Sequence, residues 1–402
     1  MLESPIADSL ATVSSKLMPL QAKLPPHLAP LQCRMVRDSL AQPRAGHHLE
    51  QLDLQFASCV ARDRIVRTWQ AMVEATEALH LAFPTSGGTQ SEWAIPPALQ
   101  IAESRPPSWD RWLNRDRHEP LLVAGRVPWR ATFWPTERRL IWTFHHALLD
   151  GRSITCVLRS FLSRLAGEQP EPLRVSHWPL PSATAIAQAE SMFQAMESTA
   201  EGGSIEWADP AGSPATRSLG HAFASDFQQC CNALQVSPAA ALIWCWGQAL
   251  TQVFGQTALW VEQVRVGAPQ PGTAGFTMTT QPVAIHRHSV GDPGDALREF
   301  RDYLLRLRAI ESVSPEDVAP GIYPNLDGPE SSVVMVEHGT LAHQVGFSEL
   351  LESIELIEPE GDGLAASAHL APDLQLRVDG PRNHQLLDAW SDAVMALTAT
   401  RS

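Results

Sequence analysis

"LIWTFHHALLDGRS", Leu140 to Ser153, is an apolar, strand-like run that ends in His145 and His146 and is followed at once by Asp150 and Gly151. Histidine is the side chain whose unperturbed pKa lies closest to neutrality, so a pair closing an apolar run is either proton-transfer equipment or packing. Successive side chains of a strand point to opposite faces. The two histidines are therefore expected to divide their tasks, one inward toward structure and one outward, and not to share a metal ion. A metal triad with Asp150 is not expected. The pair His47 and His48 serves as a control: Leu52 stands four positions after its second histidine and no glycine follows Asp53, so it reads as a loop leading into a strand. Beyond Gly151 the pattern turns helical. Ile154, Val157, Leu158, Phe161, Leu162 and Leu165 mark one face, Ser153 is placed to cap the start and Gly167 to end it.

Working outward, "VPWRATFWP" and "RRLIWTFHH" read as two strands joined by "PTE", a hairpin. Upstream, "LEQLDLQFA" at Leu49–Ala57 is a strand, and Ile65, Trp69, Met72, Val73 and Leu79 recur at helical spacing between Asp63 and Leu81. From Glu168 to about Gly212 the chain carries proline, an alanine-rich segment and "EGGS", which reads as a connector with one helix in it. The grammar then resumes with "SDFQQCCNALQV" and with "SPAAALIWCWGQALTQVFG", where Ser237 is the expected N-cap and Pro238 lies in the first turn. Strands "ALWVEQVRVG" and "TTQPVAIHRH", the helix "GDALREFRDYLLRL", strands "SSVVMVEH" and "LQLRVDG" and the helix "NHQLLDAWSDAVMALTA" complete it. A chain of 402 residues is too long for one ordinary core. The expectation is an α/β protein with mixed sheets in two related halves, residues 1–180 and 213–402, joined by a connector at 181–212.

The formal charge of −14 repels phosphate backbones and anionic lipid surfaces, and no basic run overrides it, so neither nucleic acid nor membrane partners are expected. No stretch reaches the ~20 apolar residues of a membrane span. The start, "MLESPIADSLATVSSKL", lacks a basic end followed by an apolar block, so a cytoplasmic protein is expected. The six cysteines, Cys33, Cys59, Cys156, Cys230, Cys231 and Cys245, form no C-x-x-C pair and are read as buried thiols. The absence of a G-x-S-x-G elbow, a P-loop and a G-x-G-x-x-G segment argues against a serine hydrolase, an NTPase and a dinucleotide enzyme. The tryptophans, Trp134 and Trp142 among them, read as core.

The residues His145, His146, Asp150 and Gly151 spell HHxxxDG, and this resembles the signature of the condensation-domain superfamily of acyltransferases, related to chloramphenicol acetyltransferase and including nonribosomal peptide synthetase condensation domains. "LAPLQCRMVRDSL" is similar to that family's opening "L(S/T)PLQxGM", with Cys33 and Arg34 at the usual small polar and glycine positions. "EALHLAF" is similar to "ExLRTxF", with His80 and Leu81 replacing arginine and threonine. "GFTMTTQP", Gly275 to Pro282, is similar to "GxFxNTxP", with Thr279 where asparagine is usual.

The resemblance implies two chloramphenicol-acetyltransferase-like halves in a V-shaped pseudo-dimer with a central tunnel and His146 at its midpoint. It implies His146 as the central polar group, a neutral imidazole that accepts the attacking group's proton or holds it in line. His145, Asp150 and Gly151 are motif support, with Arg265 the expected partner of the Asp150 carboxylate and the Gly151 N–H a candidate oxyanion donor. Thr279 and Gln281 are candidate tunnel residues. No bound cofactor or metal is implied; the substrate is a phosphopantetheine thioester on a carrier protein or on CoA. The implied product is an amide formed with a small-molecule amine, as in nonribosomal peptide and secondary-metabolite synthesis, by a free-standing, monomeric enzyme. Two other readings stand beside it: a CoA-dependent O-acyltransferase forming an ester, and a noncatalytic module that recruits a partner to an assembly line.

Overall fold

The computed structural model describes residues 23–197, 212–267, 270–289, 291–314, 317–319, 321–322, 332–346, 349–358 and 363–399. Fifteen strands are found among them: β1 Leu49–Phe56, β2 Leu81–Ala82, β3 Glu92–Trp93, β4 Gln100–Ile101, β5 Trp129–Trp134, β6 Arg139–His145, β7 Arg174–Val175, β8 Gly212–Leu219, β9 Ala258–Val266, β10 Thr273–Ala274, β11 Met278–His286, β12 Ser332–Glu337, β13 Leu351–Ile357, β14 Leu364–His369 and β15 Leu374–Gly380. They build one five-stranded and one six-stranded sheet, both mixed, with two small two-stranded pairs. The α/β class with mixed sheets is as expected.

The described residues divide into two compact units. The first takes those within Met1–Trp178, Ala268–Thr277 and Val345–Pro359; the second takes the rest. The contiguous second half expected from residue 213 is thus interrupted, because two of its segments pair with strands of the first unit. β13 runs antiparallel to β1, Leu54 facing Ile354, and β10 runs parallel to β7.

The first unit orders its sheet β13-β1-β6-β5-β4, and β5 and β6 form the expected hairpin. Both faces of β1 and β6 are buried, so apolar residues run on where one-sided strands would alternate. Trp69, on the helix Arg62–Glu74, meets Trp142 of β6 and Trp129 of β5 edge-to-face, at 5.6 and 6.3 Å between ring centroids. The helix Gly151–Ala166 adds Phe161 to this cluster, 5.8 Å from Trp69. The tryptophans named from sequence as core, Trp134 and Trp142, are buried.

The second unit orders its sheet β11-β9-β12-β14-β15-β8. The helices Pro238–Phe254 and Asn383–Ala399 pack on one another through Trp246 and Trp390, and Trp390 donates its indole N–H to the Leu242 carbonyl at 3.1 Å. Ser237 caps the first of these helices with Pro238 in its opening turn, as expected. The connector's helix is Ala183–Glu197, while residues 198–211, which include "EGGS", lie outside the described residues. Among the cysteines, Cys230, Cys231 and Cys245 are buried, but Cys33 and Cys156 are half-buried and Cys59 is exposed, so burial does not extend to all six. Among the described residues no helix is long and apolar enough to cross a membrane.

Candidate active site

β6 ends at His145, and His146 opens a short 3-10 turn, His146–Leu148. Antiparallel pairing sets Leu49 opposite His145 and Glu50 opposite Phe144. The next rung beyond the strand is held by the His146 N–H, which donates to the His48 carbonyl at 2.7 Å. The pair read as a control, His47 and His48, therefore leads into β1 as expected and lies directly beside the motif.

The two histidines of the motif have separate surroundings. His145 is fully buried; its Nδ1 accepts the Ala147 N–H at 3.1 Å and its Nε2 lies 3.0 Å from the Ser39 hydroxyl. An acceptor at Nδ1 requires the neutral ring's proton on Nε2, where it is donated to Ser39. Burial, reinforced by nearby His48 and His146, pushes the His145 pKa well below its ordinary value, so this ring stays neutral and structural. His146 keeps a fifth of its side chain exposed, and its Nδ1 stands 2.9 Å from Oε1 of Glu50. By distance this is an ion pair, outside the angular range of a hydrogen bond. Burial alone would lower the His146 pKa. Glu50, with Glu358 and Asp150 behind it, overrides that and raises it to about 9. This direction runs against the neutral imidazole expected from the resemblance, and its cause is a carboxylate, Glu50, that the sequence does not single out.

Asp150 is fully buried and fully served. Its Oδ1 accepts the Ser153 N–H and its Oδ2 accepts both the N–H and the hydroxyl of Thr277, each at 2.8 Å. Asp150, not Ser153 as expected, is therefore the N-cap of the helix beginning at Gly151, and Gly167 ends it with φ of 98°. The Ser153 hydroxyl instead accepts the Gly275 N–H at 3.0 Å, while Gly275 returns its carbonyl to the Asp150 N–H. The segment Gly275–Thr277 thereby clamps the loop that follows His146.

Arg265, the expected partner of Asp150, is held elsewhere. On β9 it donates to Oε1 of Gln281 at 2.9 Å and lies 3.9 Å from Glu311, while Gln281 donates to the Leu307 carbonyl. The Asp150 carboxylate needs no guanidinium, since three donors of its own unit already serve it. Gln281 is buried in this cluster within the second unit, and Thr279 is half-buried one alternation away on β11. The structure thus brings His145, His146, Asp150 and Gly151 together in the first unit and places Arg265, Thr279 and Gln281 together in the second.

Three participants escaped the sequence reading. Glu50 looked like one acidic residue in an alternating strand. Thr277 lay unremarked in "GFTMTTQP". Gln32, noted only as part of "PLQ", donates to the Ala147 carbonyl at 2.7 Å and ties the helix Pro30–Ala41 to the histidine turn. A polar residue three before a methionine at a helix start was the signal for the last; nothing in the local sequence distinguished Glu50.

No family model matches the chain. Among curated proteins, 150 residues are 26% identical to a linear gramicidin synthase of Brevibacillus parabrevis, covering 34% of this chain. A further 139-residue match, 30% identical and covering 33% of the chain, is to nonribosomal peptide synthetase 30 of Fusarium vanettenii. The chain spans 2% of the length of each of these two synthetases. Among solved structures, the condensation enzyme VibH superposes with a TM-score of 0.72 at 15% identity, covering 93% of this chain and 96% of that one. The first condensation domain of the calcium-dependent antibiotic synthetase gives 0.68 at 15% identity with the same coverage. The starter condensation domain of rhizomide synthetase, crystallised with C8-CoA and Leu-SNAC, gives 0.67 at 10% identity, covering 93% and 94%. The fold of this chain is that of the condensation domains of nonribosomal peptide synthetases.

Proposed function

We propose that this protein is a condensation-type acyltransferase that moves an acyl or aminoacyl group from a phosphopantetheine thioester, carried by a carrier protein, to an amine. The observation that carries the reading is the division between the histidines. His145 is sealed and its pKa is pushed down by burial, whereas His146 is partly exposed and stands 2.9 Å from the Glu50 carboxylate, which raises its pKa.

In the reaction the amine nitrogen attacks the thioester carbonyl carbon, forming the C–N bond and pushing the carbonyl π pair onto oxygen. The oxyanion then collapses and the C–S bond breaks, its electron pair leaving on sulfur. The imidazolium of His146 donates its proton to the departing thiolate and recovers one from the former amine nitrogen, so the products are an amide and a thiol. Preorganised charge aimed at a developing oxyanion is commonly the largest electrostatic contribution to such a step. The Gly151 N–H, at the positive end of its helix, supplies a second donor by this reading.

The test incubates the protein with aminoacyl and acyl carrier thioesters and a set of amines, reading donor and product by intact mass spectrometry. Matched CoA thioesters and alcohols are run beside them. Product with carrier and amine is expected, and His146→Ala should lower the rate by ~100 to 10,000-fold. Undiminished turnover by that variant removes His146 from the mechanism. Turnover only with CoA thioesters and alcohols favours the ester-forming reading, and none with any pair favours the recruitment module.

A further inference from the structure

The first unit buries four carboxylates along one stretch of sheet and loop, and three are completely served. Asp53 takes Arg139 on both oxygens, Asp116 takes Arg130 on one oxygen with Gln51 and Thr143 on the other, and Asp150 takes three donors. Glu50 is the exception. Its side chain is 6% exposed, one oxygen meets only His146, and Oε2 is buried without a hydrogen-bond partner among the described residues. Leaving a buried charged acceptor unserved costs more than an ordinary lost hydrogen bond. A glutamine or an apolar residue facing Phe144 would remove that cost, so packing gives no reason for a carboxylate here.

We propose that Glu50 is a positioning residue for His146, pinning Nδ1 of the imidazole so that Nε2 is the nitrogen presented to the substrate. The proposal rests on the condensation reading above for what Nε2 does, but not for the pairing itself. The pair works as a proton store. While Glu50 faces Nδ1, the ring can release the Nε2 proton to a leaving thiolate and take one back without turning over. The groups facing His146 are Glu50 from β1, His48 from the turn before β1, Asp150 from the motif loop, Glu358 just beyond β13 and His145 behind it. Asp150 is committed to its three donors. His48 lies 3.4 Å from Asp38, and burial lowers its pKa. Glu50 is the group in contact with the ring's nitrogen.

The test is a histidine NMR titration of the full chain, with the His146 resonance assigned by its loss in His146→Ala. The expected midpoint in the wild-type protein is near 9. Glu50→Gln, which keeps size and removes charge, should lower it by more than about one unit, and Glu50→Asp should fall between the two. Equal midpoints in wild type and Glu50→Gln overturn the proposal. Should Glu50→Gln fail to fold, the wild-type midpoint decides alone, and a value at or below the ordinary 6.5 overturns it. For turnover, Glu50→Gln should lower kcat on the order of 10 to 100-fold with KM unchanged and move the His146 limb of the pH–rate profile to lower pH. A rate loss with an unmoved limb would mark a merely structural role. An inactive wild-type protein with the shifted midpoint sinks the condensation reading and leaves the pairing standing; an active one with equal midpoints does the reverse.

Discussion

At Asp150 one side chain caps a helix and clamps Thr277, 127 positions downstream in sequence, while the Arg152 guanidinium donates to the same Thr277 hydroxyl at 3.2 Å. Replacing it by alanine strips one helix cap, at about 1 kcal/mol. It also leaves two Thr277 donors unserved, at roughly 1 kcal/mol or more each. Asp150→Ala is therefore expected to lose about 3 kcal/mol of unfolding free energy in urea. Asp150→Asn should lose less, because asparagine caps as well, although its amide NH2 cannot accept from Thr277. His146 has its own signature. Its pKa is raised in the folded chain, so the stabilisation from its charge is complete below the ordinary 6.5 and is lost as pH rises through about 9. Between those values the wild-type protein should lose on the order of 1 to 3 kcal/mol relative to Glu50→Gln. Parallel pH-dependent denaturation curves for the two proteins would contradict this.

Among the elements, the helices were the most legible. The helix after the motif declared its apolar face and its C-terminal glycine, although its cap is Asp150 and not the expected Ser153, and the helix Pro238–Phe254 declared its start through Ser237 and Pro238. Gly247, inside the latter, has a purpose visible only in the packing. A Cβ there would lie 2.3 to 2.8 Å from three side-chain carbons of Ile285, a buried and β-branched residue whose stiff χ1 makes any shift costly. Gly247→Ala should therefore destabilise the protein by about 1 to 3 kcal/mol despite its better helix propensity, read as a lower thermal midpoint. β8, β13 and β14 went unread. In β13, "LESIELI", only Leu351 is fully buried and the glutamates are exposed, so the apolar alternation that marks a half-buried strand is blurred. What makes it a strand is its partner, with Gln51 facing Ile357 across 306 positions of sequence.

The whole molecule is two compact units, and the first borrows residues 268–277 and 345–359 from the later part of the chain. A fragment ending at residue 180 would leave β1 an edge strand, although Leu52, Leu54 and Phe56 are completely buried in the full chain, and would take the Thr277 donors from Asp150. Such a fragment is expected to unfold without cooperativity and to aggregate. A sharp thermal transition at the full chain's midpoint would refute the unit assignment. The sequence by itself determined the class of fold, the capped helices and the motif that separates His145 from His146, because periodicity, capping and strand alternation act between residues a few positions apart. The tertiary structure decided which carboxylate faces His146, which donors serve Asp150 and where Arg265 is spent. Those outcomes depend on strand register and on segments brought together across hundreds of residues, and no local pattern encodes the distance between two side chains that meet only after the chain has folded.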